Sequence, residues 1–289
     1  MDLRARGRTR RRKLVNRAAE ATGTVAALLA VAVLAIVLVS VARRGGTAIS
    51  WSFLTHGPAT LFGQTGGGIA PAIVGSAELV LLALVLALPV GVLVALYVTE
   101  FAHQHVANAL RVALDVMNGL PSIVIGMFAF GLIVVAQHHQ SGLAGSFALA
   151  IIMLPLVARA TQEVLVLVPQ SLREASFALG VPRWRTVLGV ILPTSLGGIL
   201  TGTVLAVARA AGETAPLLFT TSIFASTVTT NPRQALPNIP VTIFTYSESP
   251  DPAMHEQAWG AALVLIAFVL LTSLGARALL ARSRRKLGR

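Results

Sequence analysis

The stretch Pro169-Gln170-Ser171-Leu172-Arg173-Glu174-Ala175-Ser176-Phe177-Ala178-Leu179-Gly180-Val181-Pro182-Arg183-Trp184-Arg185-Thr186-Val187-Leu188-Gly189-Val190-Ile191-Leu192-Pro193 lies between two apolar runs and decides how they are joined. Local physics predicts helix, turn, helix. Ser171 is a candidate N-cap, with Glu174 three residues on to complete a capping box. Leu172, Ala175, Ser176 and Leu179 fall on one apolar or small stripe. Gly180 stands where a left-handed residue ends a helix, and Pro182 can open the next. Arg183, Trp184 and Arg185 suit a membrane–water boundary. Taken by itself, such a hairpin does no more than join two spans.

On both sides of it the chain is apolar. Of 289 residues, 55% are hydrophobic and only 12% charged, about half the charge of a soluble domain, with mean hydropathy +0.78. That composition excludes a disordered chain, a nucleic-acid module and an ordinary cytosolic enzyme. It indicates an all-α integral membrane protein. Runs long enough to cross a bilayer, ~20 residues each, are expected at 24–42, 72–97, 120–136, 143–158, 193–219 and 258–276. The first follows a basic tail, 1–23. It ends in Ser40-Val41-Ala42, which resembles a signal-peptidase site, but its length and the Arg43-Arg44 that follow make it an anchor. Residues 102–117 place Val106, Leu110, Ala113, Leu114 and Met117 on one helical face, as in an amphipathic surface helix. The segment 220–257 is rich in Thr, Ser, Asn and Pro, too polar to span, and is expected to be ordered against the bundle or a partner.

The net charge of +12 is concentrated at the ends: eight of 23 Lys and Arg lie in 1–20 and six in 277–289. With six spans and a cytoplasmic N-terminus, inside segments carry 19 basic residues and outside segments three. This positive-inside asymmetry sets both termini in the cytoplasm. Such flanks meet anionic lipid rather than nucleic acid. The chain has no cysteine, so thiol chemistry and disulfides are excluded. His138-His139 and the other four histidines show no metal-ligand spacing with carboxylates. No Gly-x4-Gly-Lys-Ser/Thr loop is present, so the chain cannot hydrolyse ATP by itself.

The order Glu174-Ala175-Ser176, three residues, Gly180, nine residues, Val190-Ile191-Leu192-Pro193 resembles the "EAA loop" of ABC importer permeases, with Ser176 and Val190 as conservative departures. The resemblance implies a type I importer permease fold with six transmembrane helices. It also implies a coupling loop, 163–193, whose short helix docks into a separate ATPase subunit through Glu174, Ala175, Ser176, Gly180, Leu192 and Pro193. The stretch Leu205 to Phe219, containing Arg209-Ala210-Ala211-Gly212-Glu213-Thr214-Ala215-Pro216, is similar to the fifth span of phosphate-importer permeases of the PstA family. So are Leu120-Pro121-Ser122-Ile123-Val124-Ile125-Gly126 and Leu236-Pro237-Asn238-Ile239-Pro240-Val241-Thr242-Ile243. The likeness runs from about residue 69 onward, which makes 69–281 the expected permease domain, and it favours phosphate over other substrates. It implies an ATP-binding subunit dimer, a second homologous permease subunit and an external phosphate-binding protein as partners. It implies no cofactor and no resident metal.

Arg209 and Glu213, four apart, share a helix face inside a span. Charge at the bilayer centre costs ~2.5–3.5 kcal/mol on insertion scales, so the pair must face other helices or a wet cavity. Pro216 removes one backbone hydrogen bond beside it. An Arg fork matches phosphate oxygens, and a Glu can orient that Arg or accept a proton from monobasic phosphate. The alternative is an ion pair that only joins helices. Arg159 and Glu163 repeat the spacing, and Arg159 joins the candidate substrate path through its match to the family, although snorkelling to the interface would also account for it. Glu78, in the outer half of the second run, is expected to reach the headgroup region. Competing functions are a permease for another oxyanion, a proton-coupled secondary transporter with Arg209 and Glu213 as relay, and a membrane enzyme on lipid phosphates. The first keeps the coupling loop. The second usually needs more spans and inverted repeats. The third wants a polar catalytic cluster that is not visible.

Overall fold

The computed structural model describes residues 7–58, 67–221 and 228–287, and among them all regular structure is helical. Helix α1 spans Gly7–Gly46, α2 Trp51–Thr55, and α3 Ala70–Leu96, which runs on into a wide π turn, Tyr97–Phe101. Helix α4, Gln104–Gly119, is followed by α5, Ser122–Ala129, a second π turn at Phe130–Val134, and α6, Val135–Gln137. Then come α7, Gly142–Val166, α8, Gln170–Ala178, and α9, Arg183–Thr186. A third π turn, Val187–Ile191, leads into α10, Leu192–Ala211. Helices α11, Ala215–Thr220, α12, Ile239–Ser247, and α13, Pro252–Leu287, complete the chain.

Among the described residues, five helices are long and apolar enough to cross a membrane: Arg11–Gly46, Ala70–Phe101, Gly142–Val166, Arg183–Ala211 and Pro252–Gly275. The expected third span falls on the Ser122–Gln137 leg, which is long and apolar enough only together with α4, from which it is bent by 96°. Pro121 explains the bend, because the residue before a proline is pushed out of the helical region, and Leu120 sits at φ −67°, ψ 135°. The amphipathic helix expected at 102–117 is α4, which buries Ala107 and Leu114 against α7. Helix α1 continues unbroken past Ala42 and packs on α13, where the Arg44 guanidinium lies 5.0 Å from the centre of the Trp259 ring. Residues 1–6 of the basic tail lie outside the described residues.

The core is the α3–α7 pair. Helix α3 buries Gly75, Leu79, Ala83, Ala87, Gly91 and Ala95, a row with a spacing of four. Helix α7 answers with Gly145, Leu149, Met153, Val157, Thr161 and Leu165 at the same spacing. Small side chains on one row let the two backbones approach, which is how helices associate when lipid is as apolar as their own surfaces. Large apolar side chains elsewhere stay exposed, among them Leu28, Ile36, Leu81, Leu93 and Leu271, as suits a hydrocarbon solvent.

The two ends of the bundle differ. At one end lie α8, α9 and the arginines 173, 183 and 185. At the other, residues 228–247 are tied onto the tops of α3 and α7. There Gly142 and Leu143 N–H groups donate to the Gln234 and Pro232 carbonyls, and the Ile239 N–H donates to Ser76 Oγ at 2.8 Å. Asn238 is fully buried, caps α12 by accepting from the Val241 N–H, and donates to Thr221 Oγ1 at 2.8 Å. The polar 220–257 segment is therefore ordered against the bundle. Residues 222–227 of that segment lie outside the described residues.

Candidate functional site: a two-arginine cavity and the coupling loop

The fifth span is not one helix. Helix α10 stops at Ala211, and α11 restarts at Ala215 with Pro216 in its first turn. The Gly212 and Glu213 N–H groups close the end of α10 onto the Arg209 and Ala210 carbonyls. The weakening expected from Pro216 is thus a complete break. It leaves Arg209 on the last turn of α10 and Glu213 in the gap. Their i,i+4 relation survives, with Arg209 Nη2 3.5 Å from Glu213 Oε1. The Arg209 side chain is 63% exposed and that of Glu213 14%.

Arg209 opens into a cavity of about 330 Å³ lined by Asn118, Pro155, Leu156, Arg159, Ala160, Glu163, Gly202, Leu205 and Ala206. Three elements build it: the end of α4 at its bend, the second half of α7 and the second half of α10. Gly202 is what brings α10 this close, since a Cβ there would lie 2.3 Å from that of Ala160. Seven residues further along, about 10 Å at the helical rise, α10 delivers Arg209.

Arg159 faces the same space, but Glu163 is not its partner. Its guanidinium donates to the Arg111 carbonyl at 3.0 Å and pairs with Asp115, both on α4. Half-buried between α4 and α7, Arg159 is held by protein rather than reaching out to an interface. Glu163 lines the cavity wall beside it. The site therefore offers two guanidinium forks, one amide and one carboxylate, with the acids Asp115 and Glu213 setting the two arginines. Such forks match a tetrahedral oxyanion, and the carboxylates can orient them or take a proton.

At the basic end, α8 begins at Gln170 with Pro169 as its N-cap. This corrects the expected capping box. The helix starts earlier than Ser171, so Ser171 and Glu174 stand inside it, exposed, with no capping bond. The cause is Pro169, whose fixed φ of −55° sets the chain for helix from the next residue onward. The other end is as expected. Gly180 has φ +74°, its N–H donates to the Phe177 carbonyl, and the Val181 N–H donates to the Ser176 carbonyl, a Schellman closure. Pro182 precedes α9 as its N-cap. Leu172, Ala175, Phe177 and Leu179 are exposed on α8, while Ser176 is buried and hydrogen-bonds Thr186 at 2.8 Å. Leu192 is partly buried and Pro193 exposed at the start of α10.

Two groups were not singled out in the sequence. Glu100, in the π turn after α3, pairs with Arg173 of α8 at 2.8 Å, and Asp115 holds Arg159. An acid at the end of an apolar run and a lone acid on an amphipathic helix were the available signals. Glu78 is partly exposed, with one carboxylate oxygen, Oε2, buried and, among the described residues, without a hydrogen-bond partner. No group of three or more His, Asp and Glu side chains converges among the described residues.

Residues 87–288 match the family of binding-protein-dependent transport system inner membrane components. A phosphate transport system permease protein PstA from Yersinia pestis is 43% identical over 222 residues, covering 76% of this chain and 74% of its own. The PstA permease of Xylella fastidiosa is 38% identical over 278 residues, with 95% and 96% covered. A probable PstA permease of Methanocaldococcus jannaschii is 39% identical over 243 residues, with 84% and 85% covered. Among solved structures, an inward-facing MetNI methionine ABC transporter chain superimposes with TM-score 0.58 over 74% of this chain and 94% of its own, at 18% identity, a likeness of fold alone.

Proposed function

The chain belongs to the family of binding-protein-dependent transport system inner membrane components, in the PstA group of permeases, and from that premise we propose that it is the membrane-spanning permease subunit of an ATP-driven importer of inorganic phosphate. It is a multi-pass membrane protein and a transport subunit, not an enzyme. ATP is hydrolysed by a separate ATPase dimer that docks on the coupling loop, 163–193, within a permease domain spanning 69–281. A second homologous permease completes the path, and an external phosphate-binding protein delivers the ion. The basic end lies in the cytoplasm with both termini, because inside segments then hold 19 Lys and Arg against three outside.

The observation that carries the reading is the cavity shared by Arg159 and Arg209. Each arginine is set by an acid but keeps donors for a passing anion. Glu163 and Glu213 favour phosphate over a fully ionised oxyanion such as sulfate, because monobasic phosphate has a proton to share with a carboxylate. Arg209, Glu213 and Arg159 are thus the substrate-path residues. The coupling residues are Glu174, Ala175, Ser176, Gly180, Leu192 and Pro193, with the exposed face of α8 as the surface the ATPase grips. The test is co-purification with the ATPase, reconstitution in liposomes, and phosphate uptake with phosphate-stimulated ATP hydrolysis. Uptake of sulfate but not phosphate would replace the substrate. Uptake driven by a proton gradient without ATPase would replace the mechanism.

A further inference from the structure

One guanidinium ties the coupling helix α8 to the ends of α3 and α7. Arg173 Nη2 lies 2.8 Å from Glu100 Oε1 and donates to the Leu165 carbonyl at 3.0 Å, while its Nη1 donates to the Val168 carbonyl at 2.8 Å. The two ionic side chains are 14% and 7% exposed. Leu165 stands in the last turn of α7, whose last carbonyls have no partner further along their own helix, and Val168 in the turn just beyond it. Glu100 stands in the wide turn that ends α3. One side chain therefore joins α8 to both helices of the core pair. The next residue, Phe101, is gripped as well, with the Arg183 guanidinium of α9 5.6 Å from its ring centre. Beneath these contacts Ala95, Leu96, Leu165, Val168, Val187 and Ile191 form a separate apolar cluster. The faces of α8 and α9 turned to the core are thus held, while the opposite face of α8 is exposed.

The geometry points to Arg173 and Glu100 as a latch: positioning residues through which displacement of the coupling helix is passed to α3 and α7 as one body. A docking helix that moves on ATPase closure does nothing for transport unless the spans follow it. The polar contacts that make α3 follow are this ion pair and the adjacent Arg183–Phe101 stack, set on the apolar cluster beneath. π turns are often found at functional sites in helices, and here two of them, Tyr97–Phe101 and Val187–Ile191, flank the latch. The pair is buried, so it holds its geometry in salt that would screen an exposed one. The inference rests on the permease reading above.

The test uses the assembled transporter with its ATPase dimer in liposomes. Glu100→Gln keeps the shape and an acceptor. Arg173→Lys keeps the charge but not the planar fork that reaches three oxygens. Both are expected at wild-type abundance and with phosphate-stimulated ATP hydrolysis retained, while phosphate taken up per ATP falls roughly tenfold, within the range of site-to-site couplings. An unchanged ratio in the single variants, or uptake and hydrolysis that fall together with the amount of complex, would overturn the latch. A second measurement is independent of the transported ion. The chain has no cysteine, so in complexes whose other subunits are cysteine-free, spin labels on Ser171→Cys and Tyr97→Cys, both exposed, report the α8–α3 distance. That distance should be the same in nucleotide-free and vanadate-trapped complexes of the otherwise unaltered chain and should change in Glu100→Gln. A distance that changes equally in both overturns the latch, whereas absence of phosphate-stimulated hydrolysis in the unaltered complex refutes only the phosphate reading.

Discussion

Two arginine–acid pairs in this chain have the same chemistry and opposite construction. Arg173 and Glu100 meet at 2.8 Å, both nearly sealed from solvent, with two backbone carbonyls taking up more of the guanidinium. Arg209 and Glu213 stand at 3.5 Å, the arginine largely open to the cavity and the chain broken between them and the next helix. A pair sealed from solvent and braced by two further carbonyls is a joint. A pair with unspent donors beside a cavity can exchange partners, which an ion path needs, since binding must be good enough to enter and weak enough to leave. Arg159 is intermediate: α4 holds it through Asp115 and the Arg111 carbonyl, and it still faces the cavity.

The strongest way to break the tight region is Gly180→Pro. Proline cannot take φ +74°, and it removes the N–H that donates to Phe177. The end of α8 should be lost, and phosphate uptake with it, at normal membrane insertion. Normal uptake by this variant would reduce the loop to a connector. Next comes the slack region. Arg209→Gln and Arg159→Gln each remove charge-assisted hydrogen bonds worth about 1.5–3 kcal/mol, so uptake per transporter should fall roughly ten- to a hundredfold. Arg209→Lys should rescue little, because an ammonium lacks the planar fork. Uptake that falls only in step with abundance would turn Arg209–Glu213 into a structural pair, and the contrast with Arg173–Glu100 would disappear.

Much of this architecture is local and therefore readable along the chain. Apolar runs of membrane length and the left-handed Gly180 follow from residues close together in sequence. The arginines of the cavity were visible for the same reason, since a charge within an apolar run is conspicuous. The capping box at Ser171 was misplaced by two residues because Pro169, not a polar side chain, sets the start of α8. The latch was not visible because Glu100 and Arg173 are 73 residues apart, and each resembles an ordinary charge at the edge of a membrane. Asp115 was hidden likewise: only the folding of α4 onto α7 reveals its partner.

Glu213→Gln sharpens the slack region further. It preserves the shape of the gap between α10 and α11 but releases Arg209 from a charge that it meets at only 3.5 Å. A loss of a few-fold in uptake is expected, about 1 kcal/mol, the scale of a single neutral hydrogen bond rather than a buried ion pair. A loss as large as that of Arg209→Gln would mean that the carboxylate itself handles the substrate proton.

Ser176→Ala should have the smallest effect, and it asks whether the α8–α9 contact shares the work of the latch. Ser176 Oγ meets Thr186 Oγ1 at 2.8 Å between α8 and α9, and both residues are buried. Removing the serine hydroxyl leaves Thr186 with the Pro182 carbonyl at 3.5 Å as an acceptor, so the loss is partly made good. About 1 kcal/mol of stability is at stake. Alanine fits α8 well, being the best helix former, which offsets some of that. Uptake and phosphate per ATP should match the unaltered transporter, with thermal stability of the complex lowered by a few degrees at most. If the ratio instead falls as far as it does in Arg173→Lys, the displacement passes from α8 through α9 into α10. The guanidinium on Glu100 would then be an anchor for the loop rather than the route by which the core pair is moved.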